Sequence, residues 1–315
     1  MIEKRSFCVP SSDGVHTLSG VVWLPAGEPR GLFQAVHGMT EHIGRYDRFL
    51  SALAEEGWVA FGYDHLGHGN TAREDSELGY IAKKRGWERL AKDVGVYADA
   101  VRGQFGGAEL PYCLMGHSMG SFVVRLATAE QFVKPQRLIV MGTGGANPAA
   151  GVGLALIGLI KLFCGEKHVS KLIDGIAFGS YNKRFGATTK EDPKLWLTND
   201  ETVRQTYYAD KYCSFSFTVS AMGDLIRLIK YTNSSKWYRA MPSDMPILLV
   251  SGEEDPVGNY GKGVREVETK LKKAGKPVFC KLYPNARHEI LNDFTYGEVK
   301  EDVVAFLTGE AREEA

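Results

Sequence analysis

The chain has 315 residues, of which 44% are hydrophobic and 24% charged, a globular balance that excludes collagen, coiled coil and a disordered chain. Lys plus Arg and Asp plus Glu are 38 each, so the net charge is zero and gives no electrostatic case for binding nucleic acid or an anionic membrane. Five widely spaced cysteines with no C-x-x-C argue against a disulfide framework or a zinc ribbon, and Cys113 and Cys280, in apolar runs, read as small buried hydrophobes.

The first residues lead into no apolar stretch of the secretory type, which points to a reducing cytoplasm. Residues 6–9 and 16–24 read as a leading antiparallel hairpin. The apolar run 32–36 reads as a strand ending at His37-Gly38. A helix follows over 46–56, with Phe49, Leu50, Leu53 and Ala54 on one face. Residues 58–63 form the next strand, and Trp87, Leu90, Ala91, Val94, Ala98 and Val101 recur at spacings of three and four, the mark of a long amphipathic helix. Further strands are expected at 110–115, 137–141, 247–250 and 278–283, with helices after Ser118 and around Val264/Val267/Leu271 and Val299/Val303/Phe306. Strand and helix in such alternation imply an α/β fold whose sheet is mostly parallel and covered on both faces.

The alternation lapses between the fourth and fifth of these crossover strands. Residues 146–242 show no clear strand and read as a helical cap inserted between a first core part, 1–145, and a second, 243–315. Within it, 151–164 is the longest apolar run, too short to cross a bilayer and interrupted by Lys161, so it reads as a buried or an interfacial helix.

Gly116-His117-Ser118-Met119-Gly120 matches G-x-S-x-G between an expected strand and an expected helix, the setting of a nucleophile elbow. A Cβ at either flanking position would collide with strand or helix, which is why glycines stand there. A serine hydroxyl needs a base and an acid that orients it, in the chain order Ser, Asp or Glu, His. Of the two histidines after Ser118, His168 lies in the expected cap and His288 just past a strand end, so His288 is the candidate base. The stretch 251–256 offers Glu253, Glu254 and Asp255. Asp255 is favoured because Pro256 fixes the turn after it, with Glu254 as the alternative. The main-chain N–H groups of Met119 and Met39 are the candidate oxyanion hole.

The segment from His37 to Tyr46, HGMTEHIGRY, resembles the HG-x-x-EH-x-x-RY segment of monoacylglycerol lipases and related lysophospholipases, and Asp64 to Gly69, DHLGHG, resembles their D-H-x-G-H-G. GHSMG, SGEEDPV and ARHEIL continue the match in order. Chains grouped as serine aminopeptidase-like, and plain esterases, share these motifs. The resemblance implies the α/β-hydrolase fold with an eight-stranded sheet, a triad of Ser118, Asp255 and His288, and no metal or organic cofactor. It places Glu41, Arg45 and His117 near the polar end of an acyl site. Two departures are visible: Thr71 stands where a serine often follows G-H-G, and the cap matches no family pattern.

A serine carboxylic-ester hydrolase follows as the expected function, with a monoacylglycerol or lysophospholipid as substrate. The rivals are an exopeptidase, which would need Glu166, Asp174, Glu191 and Asp192 to converge on a free amino group, and a silent hydrolase-fold binding protein. His65 and His68 are read as structural rather than metal-binding. His288-Glu289 begins an H-E-x-x-H that Asn292 breaks, and 142–145 lacks the third glycine of a dinucleotide loop. In 151–164, Gly151, Ala155 and Gly158 are expected against a neighbouring helix. Val152, Leu156, Leu159 and Phe163 form either cap core or the roof of an acyl channel, with Leu156 and Leu159 touching substrate and the cap touching a membrane surface transiently.

Overall fold

A computed structural model of the chain describes residues 1–106, 109–186 and 192–310. Eight strands form one sheet: β1 (Glu3–Pro10), β2 (Thr17–Leu24), β3 (Gly31–Val36), β4 (Trp58–Tyr63), β5 (Tyr112–His117), β6 (Arg137–Met141), β7 (Ile247–Gly252) and β8 (Val278–Tyr283). Their order is β1-β2-β4-β3-β5-β6-β7-β8. β1 pairs antiparallel with β2, and β2 with β4; every later pairing is parallel. The hairpin and the α/β alternation are as the sequence predicts.

Helices cover both faces, so the central strands are buried on both sides and read as unbroken apolar runs. Cys113, Met115, Ile139 and Val250 face α1 (Asp47–Glu55) and α10 (Tyr296–Thr308) through Phe49, Leu53, Val303 and Phe306. Tyr112, Leu114, Leu138 and Leu249 face the opposite layer, built from α2 (Gly86–Phe105), α3 (Met119–Ala129) and α9 (Lys262–Lys273). β5 starts two residues later than predicted because Pro111 has no N–H for the ladder, and it runs on through Gly116 and His117. All five cysteines are free. Cys113 is buried as expected, whereas Cys280 is only partly buried.

Between β6 and β7 the described residues hold five helices and no strand: α4 (Ala150–Cys164), α5 (Lys171–Phe178), α6 (Glu201–Ala209), α7 (Val219–Thr232) and α8 (Ser235–Ala240). α4 departs from expectation. It rests on α7 through Ile157 and Gly153, where a Cβ at Gly153 would lie 3.3 Å from Ile226. Gly151, Ala155 and Gly158 face solvent instead of a neighbour. Val152, Leu159 and Phe163 are exposed too, at 75%, 57% and 82%, and so do not form cap core; Leu156 alone of that stripe is partly buried. Among the described residues no helix is long and apolar enough to cross a membrane.

Candidate active site

β5 ends at His117 and α3 begins at Met119, leaving Ser118 alone to make the turn at φ 55°, ψ −121°. A non-glycine residue held there costs about 1–3 kcal/mol, and the surroundings must impose it. They do so from both sides. Ser118 donates its N–H to Met141 O at 3.0 Å, while its own carbonyl accepts from Ser121 N–H at 2.9 Å and Ser121 Oγ at 2.6 Å. The expected role of the flanking glycines holds: a Cβ on Gly116 would stand 2.3 Å from Gly120 O, and one on Gly120 2.1 Å from Val36 O.

The loop after β3 lies against this turn, since a Cβ on Gly38 would be 3.0 Å from Ser118 Cβ. Its shape is fixed by Gly38 N–H donating to Glu41 Oε1 at 2.5 Å, and by Thr40, at φ 52°, donating its N–H to His68 Nε2 at 3.3 Å. His37 accepts from His65 N–H through Nε2 at 2.9 Å. Burial pulls the His37 and His68 rings down to about 4 and about 3, so both stay neutral and serve as main-chain partners.

The loops after β7 and β8 meet where Gly252 leaves no room for a side chain, 2.2 Å from Ala286 O by its missing Cβ. There His288 Nδ1 donates to Asp255 Oδ2 at 2.8 Å, with both residues buried. Asp255 also accepts from Val257 N–H at 2.8 Å and Ser251 Oγ at 3.2 Å. Glu254, half-buried, makes none of these bonds. Ser118, His288, Met39 and Met119 line one cavity of about 740 Å³, whose far wall is apolar, with Phe122, Phe178, Phe217, Leu225 and Ile229.

His117 connects the loops. Its Nε2 lies 3.2 Å from His288 O, an acceptor, so Nε2 carries a hydrogen. Its Nδ1 lies 2.9 Å from Tyr46 Oη, and Tyr46 gives its one hydrogen to Glu41 Oε1 at 2.9 Å. With that hydrogen on Glu41, Nδ1 donates to Tyr46 Oη as well, an arrangement that favours the imidazolium form of His117. Burial opposes that charge, but the bond to Glu41 and the charges of Glu41 and Glu289 outweigh it and raise the pKa of His117. Arg45 binds Glu41 Oε2 at 3.0 Å and Glu289 through two bonds of 2.7 Å. In that form two carboxylates face two cations, a neutral buried set.

Of the residues expected near substrate, Glu41 and His117 line the cavity. Arg45 does not, because its guanidinium is spent on the two glutamates, and Leu156 and Leu159 lie outside the lining. Among the described residues, the carboxylates an exopeptidase would need do not converge. Asp174 lines the cavity, Glu166 turns to Tyr80, Asp192 pairs with Arg204, and Glu191 lies outside the described residues. The sequence reading missed Glu289, hidden in the broken H-E-x-x-H, and Trp196, whose ring stands 5.1 Å from that of His288. Trp196 is set there because Glu289 N–H and Arg287 Nη1 clasp Leu197 O and Leu195 O, both at 2.7 Å.

The family model described as serine aminopeptidase, S33, matches residues 27–295. A monoacylglycerol lipase of Mycolicibacterium smegmatis is 25% identical over 95% of this chain and 98% of its own. The monoglyceride lipase of Homo sapiens is 32% identical over 35% of this chain, a match spanning 33% of the human protein. Among solved structures, a highly thermostable carboxyl esterase from Bacillus coagulans, in complex with glycerol, superposes with a TM-score of 0.90 at 28% identity, covering 97% of this chain and 98% of that one.

Proposed function

The chain belongs to the serine aminopeptidase S33 family of α/β-hydrolases, and from that premise we propose that it hydrolyses carboxylic esters through an acyl-enzyme on Ser118. The observation that carries this reading is His288, bonded to the buried Asp255 at 2.8 Å and lining one cavity with a serine held at a strained elbow. Ser118 Oγ attacks the ester carbonyl while His288 Nε2 takes its proton, and Asp255 holds the resulting imidazolium by its Nδ1–H. The negative oxygen is received by the N–H groups of Met39 and Met119, each such donor contributing about 10²–10³ in rate. His288 returns the proton to the departing alcohol, then draws one from a water that attacks the acyl carbonyl and frees Ser118.

Names of relatives and the apolar far wall support an acyl ester, a monoacylglycerol or a lysophospholipid, as the substrate. On this reading residues 146–242 act as a cap: α5 and α7 close the cavity, while the exposed apolar residues of α4, together with Leu172 and Ile176 of α5, touch a lipid surface. Fluorophosphonate labelling, with turnover of nitrophenyl esters of rising chain length, a monoacylglycerol and an aminoacyl anilide, tests it. Ester and monoacylglycerol turnover with label on Ser118 is expected. Label on another serine, or turnover of the anilide alone, overturns it.

A further inference from the structure

Two ionisable side chains in the cavity wall have no ion-pair partner among the described residues. Lys194, in the connection ahead of α6, lines the cavity, and its ammonium makes no hydrogen bond or ion pair with any described residue. It stands 5.3 Å from the centre of the Tyr207 ring. Tyr207 Oη holds the loop beside Ser118 through Thr40 O at 2.7 Å and Thr40 Oγ1 at 2.8 Å, so the ammonium sits on the side of the cavity near that loop. Asp174 of α5 lines the same cavity. Its Oδ1 is buried without a hydrogen-bond partner, and its carboxylate lies beyond ion-pair reach of Lys194. Burial lowers the lysine from its ordinary range, drawn back first by the charge of Glu289 and then by Cys213 and Asp174, and burial raises the aspartate, drawn back by Lys194.

A buried charge without a counter-ion is costly, and a ligand that supplies the missing partner recovers that cost. Other charges in or beside the wall cannot play this part. Arg45 is saturated by Glu41 and Glu289, Glu266 pairs with Lys270, and the second lining lysine, Lys262, is exposed at the start of α9. An acyl chain in the apolar compartment would leave the alcohol part of the ester to meet Lys194 and Asp174.

We propose that Lys194 and Asp174 form a headgroup subsite for an acidic, hydroxylated alcohol: an anionic group, phosphate or carboxylate, accepts from Lys194 while a free hydroxyl donates to Asp174. The proposal rests on the ester-hydrolase reading and narrows its substrate from neutral monoesters to acidic ones, an acylated glycerol phosphate being the fitting form. A neutral glycerol ester satisfies the aspartate but leaves the ammonium without its anion.

The test compares kcat/KM at pH 7 and low salt for four oleoyl esters: those of glycerol, glycerol 3-phosphate, glyceric acid and 2-hydroxyethyl phosphate. The first is neutral, the second and third separate phosphate from carboxylate, and the fourth lacks the free hydroxyl. The wild-type protein should favour the acidic hydroxylated esters over the glycerol ester by about tenfold or more. Lys194→Met should cut that ratio by about ten- to a hundredfold, and Lys194→Arg should keep most of it. Asp174→Asn should narrow the gap between the hydroxylated phosphate and the one without a hydroxyl. A wild-type preference for the neutral ester, or an acidic-to-neutral ratio unchanged in Lys194→Met, overturns the subsite and leaves the hydrolase reading standing. Failure of the wild-type protein to turn over any ester overturns the reading itself, and the subsite with it.

Discussion

The carboxyl edge of the sheet and the helices between β6 and β7 face each other across one cavity, and they treat polar and apolar groups in opposite ways. On the sheet side Glu41, Arg45, Glu289, His117, Asp255 and His288 are buried or nearly so, and each is bonded to a named neighbour. On the helical side Lys194 and Asp174 line the cavity with no ion-pair partner among the described residues, while Val152, Leu159, Leu162 and Phe163 of α4 present apolar surface to solvent. The first region is closed to further partners and holds reacting groups in one geometry, as catalysis requires. The second is left incomplete, as the proposed contacts with a substrate and a lipid layer would require.

The largest effects should come from breaking the closed region. Ser118→Ala should lower ester turnover by about 10⁴-fold or more and abolish fluorophosphonate labelling, measured on protein with an unchanged melting temperature. Asp255→Asn should cost nearly as much, because the His288 ring would lose the acceptor that sets its tautomer. Glu254→Gln should stay within a few-fold of the parent. A severe loss in Glu254→Gln with a mild one in Asp255→Asn would reverse the assignment of the acid.

A sharper probe of the same region is His117→Gln, which keeps a donor for His288 O but removes the cation facing Glu41. Glu41 would then share Arg45 with Glu289, leaving one buried negative charge unbalanced among Tyr46, His288 and Glu289, at a cost of about 3 kcal/mol. Because the pKa of His117 is raised on folding, its contribution is complete below the unfolded value near 6.5 and is lost as pH rises through the folded value. The melting-temperature gap between parent and His117→Gln should therefore be widest near pH 6 and shrink toward alkaline pH. A gap that is flat or grows with pH would contradict the imidazolium, as would a single ring N–H in the ¹⁵N spectrum at neutral pH.

Legibility in the sequence divides along the same line. The strands were readable because burial on both faces makes continuous apolar runs; among the candidates, Ser118 and Asp255 were singled out by the Gly and Pro of their turns, and His288 as one of two histidines after Ser118, just past a strand end. Glu289 was not, since its partner Arg45 lies 244 positions away and nothing local marks the pair. Lys194 and Trp196 owe their places to the clasp between the loop after β8 and residues 195–198, again a long-range event. In α4 the helix was correctly foreseen and its inward face was not. The helix is apolar almost all round, and periodicity cannot choose between two apolar stripes when packing of Ile157 on α7 makes the choice.

That exposed stripe gives the last and smallest effect, and it tests the open region directly. Leu159 and Phe163 are 57% and 82% exposed, so Leu159→Ser and Phe163→Ser remove little buried surface and should change stability by no more than about 0.5 kcal/mol. Leu156 packs on the main core, and Leu156→Ser should lower the melting temperature, a contrast within one helix. If the stripe meets lipid, each buried CH₂ contributes about 0.8 kcal/mol, so losing either the Leu159 or the Phe163 side chain should weaken vesicle binding several-fold. Turnover of a monoacylglycerol presented in phosphatidylcholine vesicles should fall by the same factor, while a dissolved butyrate ester should be cleaved at the parental rate, since neither residue lines the cavity. Equal losses on vesicle-borne and dissolved esters would mean that α4 acts through the cavity. Unchanged vesicle binding in a variant carrying both Leu159→Ser and Phe163→Ser would mean that the apolar face of α4 meets no membrane.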